Sequence, residues 1–476
     1  MTGMNEDPGA LLPELLLLGS AVVGLLLGAW LPRRRQWLVR VLAAAAAVGG
    51  LAITAGAATR PAGVVFGTSY AVDTLTHATR VIVLVAVLLA LALSVEATTG
   101  HRRETEFVVL LQLGALGTIV LSGANDLLLL VAAVLLASVP LYALAGWDKR
   151  ALDTEAAMKY YLSGAFLGVT MLAGIALLYG VARSTAYVRL PDGLAAAPTA
   201  AAAAGLVAVL AGLLFKIGAV PAHFWVPDVT DGTPPAVAAI VTTIPKIGGL
   251  VAAYRLLLVA IPADLVDWPL LVAVISAASM TLGNLAAFFQ RRVQRLLAYS
   301  TISQVGYLLM AVAVAGTAEL AQPALLFYAA AYAVTNLGAF AVVTELPQAR
   351  TLDDYRGAAR RHPALMVALA VCLFGLIGTP PTAVFVGKLT AFTAAVDGGF
   401  GWLVVLAIVN TVASVFYYLR WLAPAFRRPV GEGSAAVLAR AGSWSAGTVY
   451  ACAAAALLLG VGGGPLLAVL AGPLVR

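Results

Sequence analysis

The stretch AGLLFKIGAVP (211–221) sets a lysine, Lys216, inside an apolar run and follows it five residues later with a proline. The same pairing recurs in AAIVTTIPKIGGLVAAY (238–254), where Pro245 precedes Lys246, and in IGTPPTAVFVGKLTAF (377–392), where Pro380-Pro381 precede Lys388. An ammonium in the middle of a membrane helix costs about 2.5–3.5 kcal/mol on insertion scales, so three of them need a reason. A proline inside a helix donates no amide hydrogen and displaces the carbonyl four residues back. The affected carbonyls are those of Ile217, Val241, Leu376 and Ile377. In lipid such carbonyls must be covered by protein or water, so lysine beside a broken helix points to a hydrated polar track inside a bundle.

The rest of the chain supports the membrane reading. Of 476 residues, 62% are apolar and only 11% charged. Ordinary soluble domains carry about 25% charged residues. At roughly twenty residues per span the apolar content fills about fourteen transmembrane helices. Fourteen apolar stretches can be traced, from 11–31 to 445–471, and the one at 363–398 reads as a single helix broken at Pro380-Pro381. The first stretch lacks a basic leader and carries Glu14, so it reads as a retained span and not as a cleaved signal peptide. The net charge of +7 lies in short loops between apolar runs, a membrane pattern and not a nucleic-acid one. Cys372 and Cys452 lie in apolar stretches, which argues against a disulfide framework or an iron–sulfur site.

Loop charge alternates. Arg33, Arg34, Arg35 and Arg40, then Arg102 and Arg103, Lys149 and Arg150, Arg291, Arg292 and Arg295, Arg350, Arg356, Arg360 and Arg361, and Arg427 and Arg428 follow odd spans. Asp126, Asp264, Asp267, Glu319 and Asp397 follow even spans, with isolated arginines at 60, 80, 183 and 189. The positive-inside rule then makes the basic loops cytoplasmic and places both termini outside.

Taking an ammonium out of water favours the neutral amine, so a buried lysine can exchange a proton where an exposed one cannot, and a movable acid partner would switch it. The bland alternative is a lysine fixed on carbonyls or a carboxylate without change of state. His223 in PAHFWVPD can relay protons or satisfy a helix end. Asp126 is expected as the N-cap of the fifth span, Glu155 and Glu345 as interfacial, and Gly164 and Gly168 as a GxxxG packing pair. His77, His101 and His362 fall in loops or at span edges. The seventh and twelfth spans are both proline-broken and both carry a lysine, which suggests inverted repeats. The expected organisation is a three-helix segment 1–100, a first repeat of helices 4–8 in 101–262, a second of helices 9–13 in 263–425, and a cytoplasmic loop with helix 14 in 426–476.

Several segments resemble a known family. ANDLLLL (124–130), SVPLYALAG (138–146), EAAMKYYLSGAF (155–166) and GIALLYG (174–180) form one block. FKIGAVPAHFWVPDVTDGTPP (215–235), RLLAYSTISQVGYLL (295–309), LGAFAVV (337–343), LDDYRGAARRHPAL (352–365) and GTPPTAVFVGK (378–388) complete the set. Together they are similar to the antiporter-like membrane subunits of bacterial proton-pumping NADH:quinone oxidoreductase, respiratory complex I, and among these to subunit N. The resemblance implies an all-α polytopic fold of about fourteen helices, with two inverted five-helix repeats and broken helices 7 and 12. It implies a multi-pass subunit of the bacterial cell membrane that moves protons, with Lys216, Lys246 and Lys388 matching the family's proton-carrying lysines. By the same resemblance no redox site lies on this chain. NADH, FMN, iron–sulfur clusters and quinone are expected on the other membrane-arm and peripheral subunits.

Two departures stand out. The family's glutamate three residues before the serine of its S-L-P-L-Y segment is here Leu135, and Gln304 replaces a histidine often found in subunit N. Asp126 lies nine residues from Leu135, about 13 Å along a helix, too far to substitute. A subunit of a multi-subunit sodium/proton antiporter or membrane-bound hydrogenase, or a non-pumping scaffold left by the loss of that acid, are the alternatives.

Overall fold

The computed structural model describes residues 7–428 and 437–475, so residues 429–436 of the arginine-bearing loop before the last span lie outside the described residues. Among the described residues thirteen helices are long and apolar enough to cross a membrane. In chain order the major helices are α1 (Leu12–Trp30), α2 (Trp37–Ala57), α3 (Thr74–Leu93), α4 (Glu104–Gly123), α5 (Leu127–Ala145) and α6 (Ala151–Ala182). They continue with α7 (Thr199–Ile217), α8 (Trp225–Gly232), α9 (Pro235–Ala260), α10 (Trp268–Ala287), α11 (Val293–Ala313) and α12 (Ala321–Glu345). The last are α13 (Pro363–Ile377), α14 (Ala383–Asp397), α15 (Gly401–Ala425), α16 (Ser443–Val461) and α17 (Gly463–Leu470). The broken pair α13 and α14 occupies the stretch expected from hydropathy as a further, broken span. One small departure from an all-helical chain is a two-stranded antiparallel ladder, β1 (Gly63–Val65) with β2 (Tyr70–Val72).

Helices α9, α11 and α12 form the centre and are buried over nearly their whole length, whereas α1, α2, α6 and α15 turn most of theirs outward. That division explains the polar residues: a helix with no lipid-facing side can carry lysine, glutamine and tyrosine if neighbouring helices supply partners.

Two breaks lie beside the buried lysines, and glycine makes both. Gly218 adopts φ 75° and Gly378 φ 87°. At the first, the amides of Ala219 and Gly218 donate to the carbonyls of Leu214 (2.9 Å) and Phe215 (3.1 Å). At the second, Thr379 and Gly378 donate to Phe374 (3.1 Å) and Gly375 (2.8 Å). Both are Schellman caps, in which a left-handed residue closes the helix and leaves its last carbonyls free. The sequence expectation assigned the breaks to Pro221 and Pro380-Pro381. These prolines follow the cap and keep the chain from resuming a helix, while the termination belongs to the glycines, which alone adopt positive φ without steric cost. Pro245 breaks nothing: α9 runs through it, enclosed by protein throughout.

Other placements differ from the sequence reading. Arg80 is no loop residue but lies fully buried within α3, whose start Asp73 caps. Its Nε meets Glu14 at 2.8 Å, and the Tyr70 hydroxyl donates to the same carboxylate at 2.7 Å. Arg40 likewise belongs to the first turn of α2. Glu345 stands at the very end of α12, as its place in the sequence suggested, and is covered there by protein, with Arg440 and Ser445 donating to it. Of the glycine pair, Gly164 makes room for the Tyr142 hydroxyl, whereas Gly168 faces open space and packs nothing within this chain.

Candidate functional site

The three lysines lie inside the bundle, each at most 3% exposed. Lys216, in the last turn of α7, donates to the Ala137 carbonyl and the Ser138 hydroxyl of α5, both at 2.7 Å. Lys246 of α9 donates to the Ile217 carbonyl at 2.6 Å, with the Trp225 ring centroid 5.6 Å away. Ile217 is the last residue of α7, so this ammonium covers a carbonyl that the Gly218 cap leaves free. Lys388 of α14 reaches back to the end of α13 and donates to the Ile377 carbonyl at 2.9 Å, with Leu376 at 3.5 Å. The Tyr307 ring centroid lies 4.0 Å from its nitrogen, a cation–π distance. Three of the four carbonyls flagged from sequence are thus met by lysine.

Among the described residues no carboxylate pairs with any of these ammonium groups. Leu135, where the resemblance leads one to expect an acid, is half exposed on the rim of α5, three residues from the Ser138 hydroxyl that holds Lys216. His223 lies in the turn between α7 and α8 with its Nδ1 buried and without a hydrogen-bond partner among the described residues. Asp126 is the N-cap of α5, accepting from the Leu128 amide at 2.7 Å, as its position suggested.

A line of neutral polar groups joins Lys246 to Lys388. One turn before Lys246, the Thr242 carbonyl accepts from the Tyr332 hydroxyl at 2.8 Å, and that hydroxyl also lies 3.1 Å from Thr301. One turn along α11 from Thr301, Gln304 donates to the Leu376 carbonyl at 2.7 Å and accepts from Tyr328 at 2.5 Å. Leu376 in turn is a partner of Lys388. Of these only Gln304 was singled out from sequence. Tyr328 and Tyr332 carried a signal in principle, since they lie four residues apart on α12 and so share one face.

Two buried ion pairs also escaped the sequence reading: Glu14 with Arg80, and Asp73 with Arg255, the latter bidentate at 2.7 and 2.8 Å. Both join the first three helices to the rest of the bundle or to one another. A shallower charged cluster flanks α8. Asp228 meets Lys159 at 3.0 Å and Arg295 at 3.1 Å, and Asp231 meets Arg292 at 2.8 Å. Partial burial acts to raise the Asp228 carboxyl, but Lys159 and Arg295 outweigh it and hold it below the usual carboxylate range. For Asp231 burial prevails and pushes the carboxyl up. A cavity of about 620 Å³ between α2, α3, α12 and α16 is apolar and touches none of the three lysines.

A family model described as NADH:quinone oxidoreductase/Mrp antiporter, TM matches residues 124–414. The chain is 62% identical over 464 residues to NADH-quinone oxidoreductase subunit N 1 of Streptomyces griseus, covering 98% of each chain. It is 49% identical to NADH-quinone oxidoreductase subunit N of a Mycobacterium species, covering 95% of this chain and 96% of that one. Among solved structures, a chain of respiratory complex I from Thermus thermophilus with bound aureothin superposes with a TM-score of 0.83 at 32% identity, covering 97% of this chain and all of that one.

Proposed function

The chain belongs to the subunit N family of NADH-quinone oxidoreductases, and on that premise we propose that it works in the membrane arm of complex I, carrying protons across the bilayer through Lys216, Lys246 and Lys388. The observation that carries this reading is that three membrane-buried ammonium groups rest on carbonyls and a hydroxyl and, among the described residues, on no carboxylate. Neutral acceptors hold an ammonium less tightly than a carboxylate does, so its proton is released at lower cost.

Loss of a proton from Lys246 or Lys388 weakens the bond to the end carbonyl of a broken helix, which ties protonation to the position of that helix end. Between them, the Thr242, Tyr332, Thr301 and Gln304 groups give water a run of partners along which a proton passes. His223 serves as an accessory proton group at the first break. Quinone reduction elsewhere in the complex biases these sites electrostatically. NADH, FMN, iron–sulfur clusters and quinone belong to partner subunits, and the chemistry of this chain is proton transfer alone. In this reading helices 4–8 and 9–13 form inverted repeats, the arginine-rich loops face the cytoplasm and both termini lie outside.

One observation favours a scaffold instead: among the described residues Lys216 has no acid partner, and Leu135 stands where the resemblance leads one to expect one. The test is NADH-driven proton uptake in inverted membrane vesicles carrying Lys216→Ala or Lys388→Ala, normalised to NADH oxidation. Loss of uptake in either supports the relay. Parent-like uptake in both leaves the scaffold.

A further inference from the structure

A second cavity, of about 560 Å³, opens at the arginine-rich end of the bundle where the turn after α10, the turn at 352–353 and the end of α15 meet. Its lining carries three guanidinium groups, Arg291, Arg420 and Arg427, against the single carboxylate of Asp353. Arg420 is already committed, donating to the carbonyls of Phe288 and Gln290 at the end of α10. Arg291 and Arg427 are exposed and their side chains bond to none of the described residues. The remaining wall is apolar, including Phe416 and Leu419.

The apolar wall continues. On α15, Val405, Val409, Val412, Phe416 and Leu419 are all exposed and recur at alternating intervals of four and three residues. That spacing aligns them in one stripe along the helix. Fourteen residues at 1.5 Å each make the stripe about 21 Å long, the length of an extended acyl chain. A cationic cup at the membrane edge, directly above an exposed apolar stripe of that length, has the two-part chemistry of a phospholipid site.

We propose that this cavity binds the phosphate headgroup of an anionic glycerophospholipid, with an acyl chain along the Val405–Leu419 stripe. Arg291 and Arg427 contact the phosphate oxygens and Arg420 fixes the back of the cup. The excess of two positive charges selects an anionic lipid over a zwitterionic one. The site stands apart from the lysines, and its test is independent of whether the chain pumps.

The intact complex, reconstituted in vesicles, is labelled with a photoactivatable phosphatidylglycerol or with the matching phosphatidylcholine, and labelled peptides are mapped. The phosphatidylglycerol probe is expected to mark the end of α15 preferentially. Arg291→Gln with Arg427→Gln removes that preference, by roughly fivefold for each arginine lost. Arg360→Gln with Arg361→Gln, at the same end but away from the cavity, leaves it intact. If the first pair blocks assembly of the complex, Arg427→Gln alone, at an exposed helix end, carries the test. Equal labelling by both lipids, unchanged labelling in the variant, or cross-links from this face to a neighbouring subunit overturns the proposal.

Discussion

At the first break the ammonium that covers the freed carbonyl comes from a different helix: Lys246 of α9 meets Ile217 at 2.6 Å. At the second it comes from the other half of the same broken span: Lys388 of α14 meets Ile377 at 2.9 Å. Lys216 lies on the first broken helix, yet it turns away from the break to Ala137 and Ser138 of α5. By helix position Lys216 corresponds to Lys388. By what the ammonium does, the counterpart of Lys388 is Lys246. The comparison teaches that a Schellman cap creates an acceptor which some donor must fill, and that the donor need not be near in sequence.

The largest effect expected from this comparison is on pumping. Lys246→Ala and Lys388→Ala should each lower NADH-driven proton uptake by roughly a hundredfold, the scale of a lost acid–base group. Uptake in inverted vesicles at matched NADH oxidation checks it. A normal rate in the Lys246 variant alone would break the functional pairing of Lys246 with Lys388.

Stability sharpens the same point. Lys246→Met and Lys388→Met each strand a buried helix-end carbonyl and should cost about 1–3 kcal/mol. Lys216→Met should cost less, because Ala137 lies within continuous α5 and the Ser138 hydroxyl keeps its bond to Val134 at 2.5 Å. Thermal inactivation of the purified complex in detergent ranks the three. A larger loss for Lys216→Met would restore the pairing by position.

The caps themselves should be equivalent. A Cβ at Gly218 would approach the Lys246 nitrogen to 2.5 Å, and one at Gly378 would approach Lys388 Cδ to 2.9 Å, both at positive φ. Gly218→Ala and Gly378→Ala should each destabilise by about 1–2 kcal/mol from backbone conformation alone. The same melting assay reads them, and unequal effects would show that the two breaks are held differently.

The smallest effect tests a real difference. Helix α8 is pinned through Asp228 to Lys159 and Arg295, while no ion pair among the described residues holds α14. The Asp228 carboxyl is held low, so its contribution is present above the usual carboxylate range and is lost as pH falls through the lowered folded-state value. Solvent screens these exposed pairs, so their contribution is small. Asp228→Asn should therefore shift melting slightly at neutral pH and not at all in strong acid. An undiminished shift in acid would remove the ion pairs as its cause.

Much of this was legible before any coordinates. The fourteen crossings follow from apolar runs whose length is fixed by bilayer thickness, and the lysines were conspicuous because charge in oil is costly. The Asp126 cap followed from a carboxylate placed just before an apolar run. The end of α7 was misassigned to proline, since a Gly-x-x-Pro string does not reveal which residue takes positive φ. Arg80 was read as a loop residue because hydropathy alone does not show that Glu14, distant in sequence, neutralises it within the bundle.

By itself the sequence determined that the chain lives in a membrane, where its helices run and which ammonium groups are buried there, since each is a local cost counted residue by residue. Only the tertiary structure decided which carbonyl each lysine covers, which tyrosines and amides link them, and where arginines meet an open cup. A hydrogen bond depends on two groups arriving within about 3 Å, and for most of these pairs the arrival is set by helices distant along the chain.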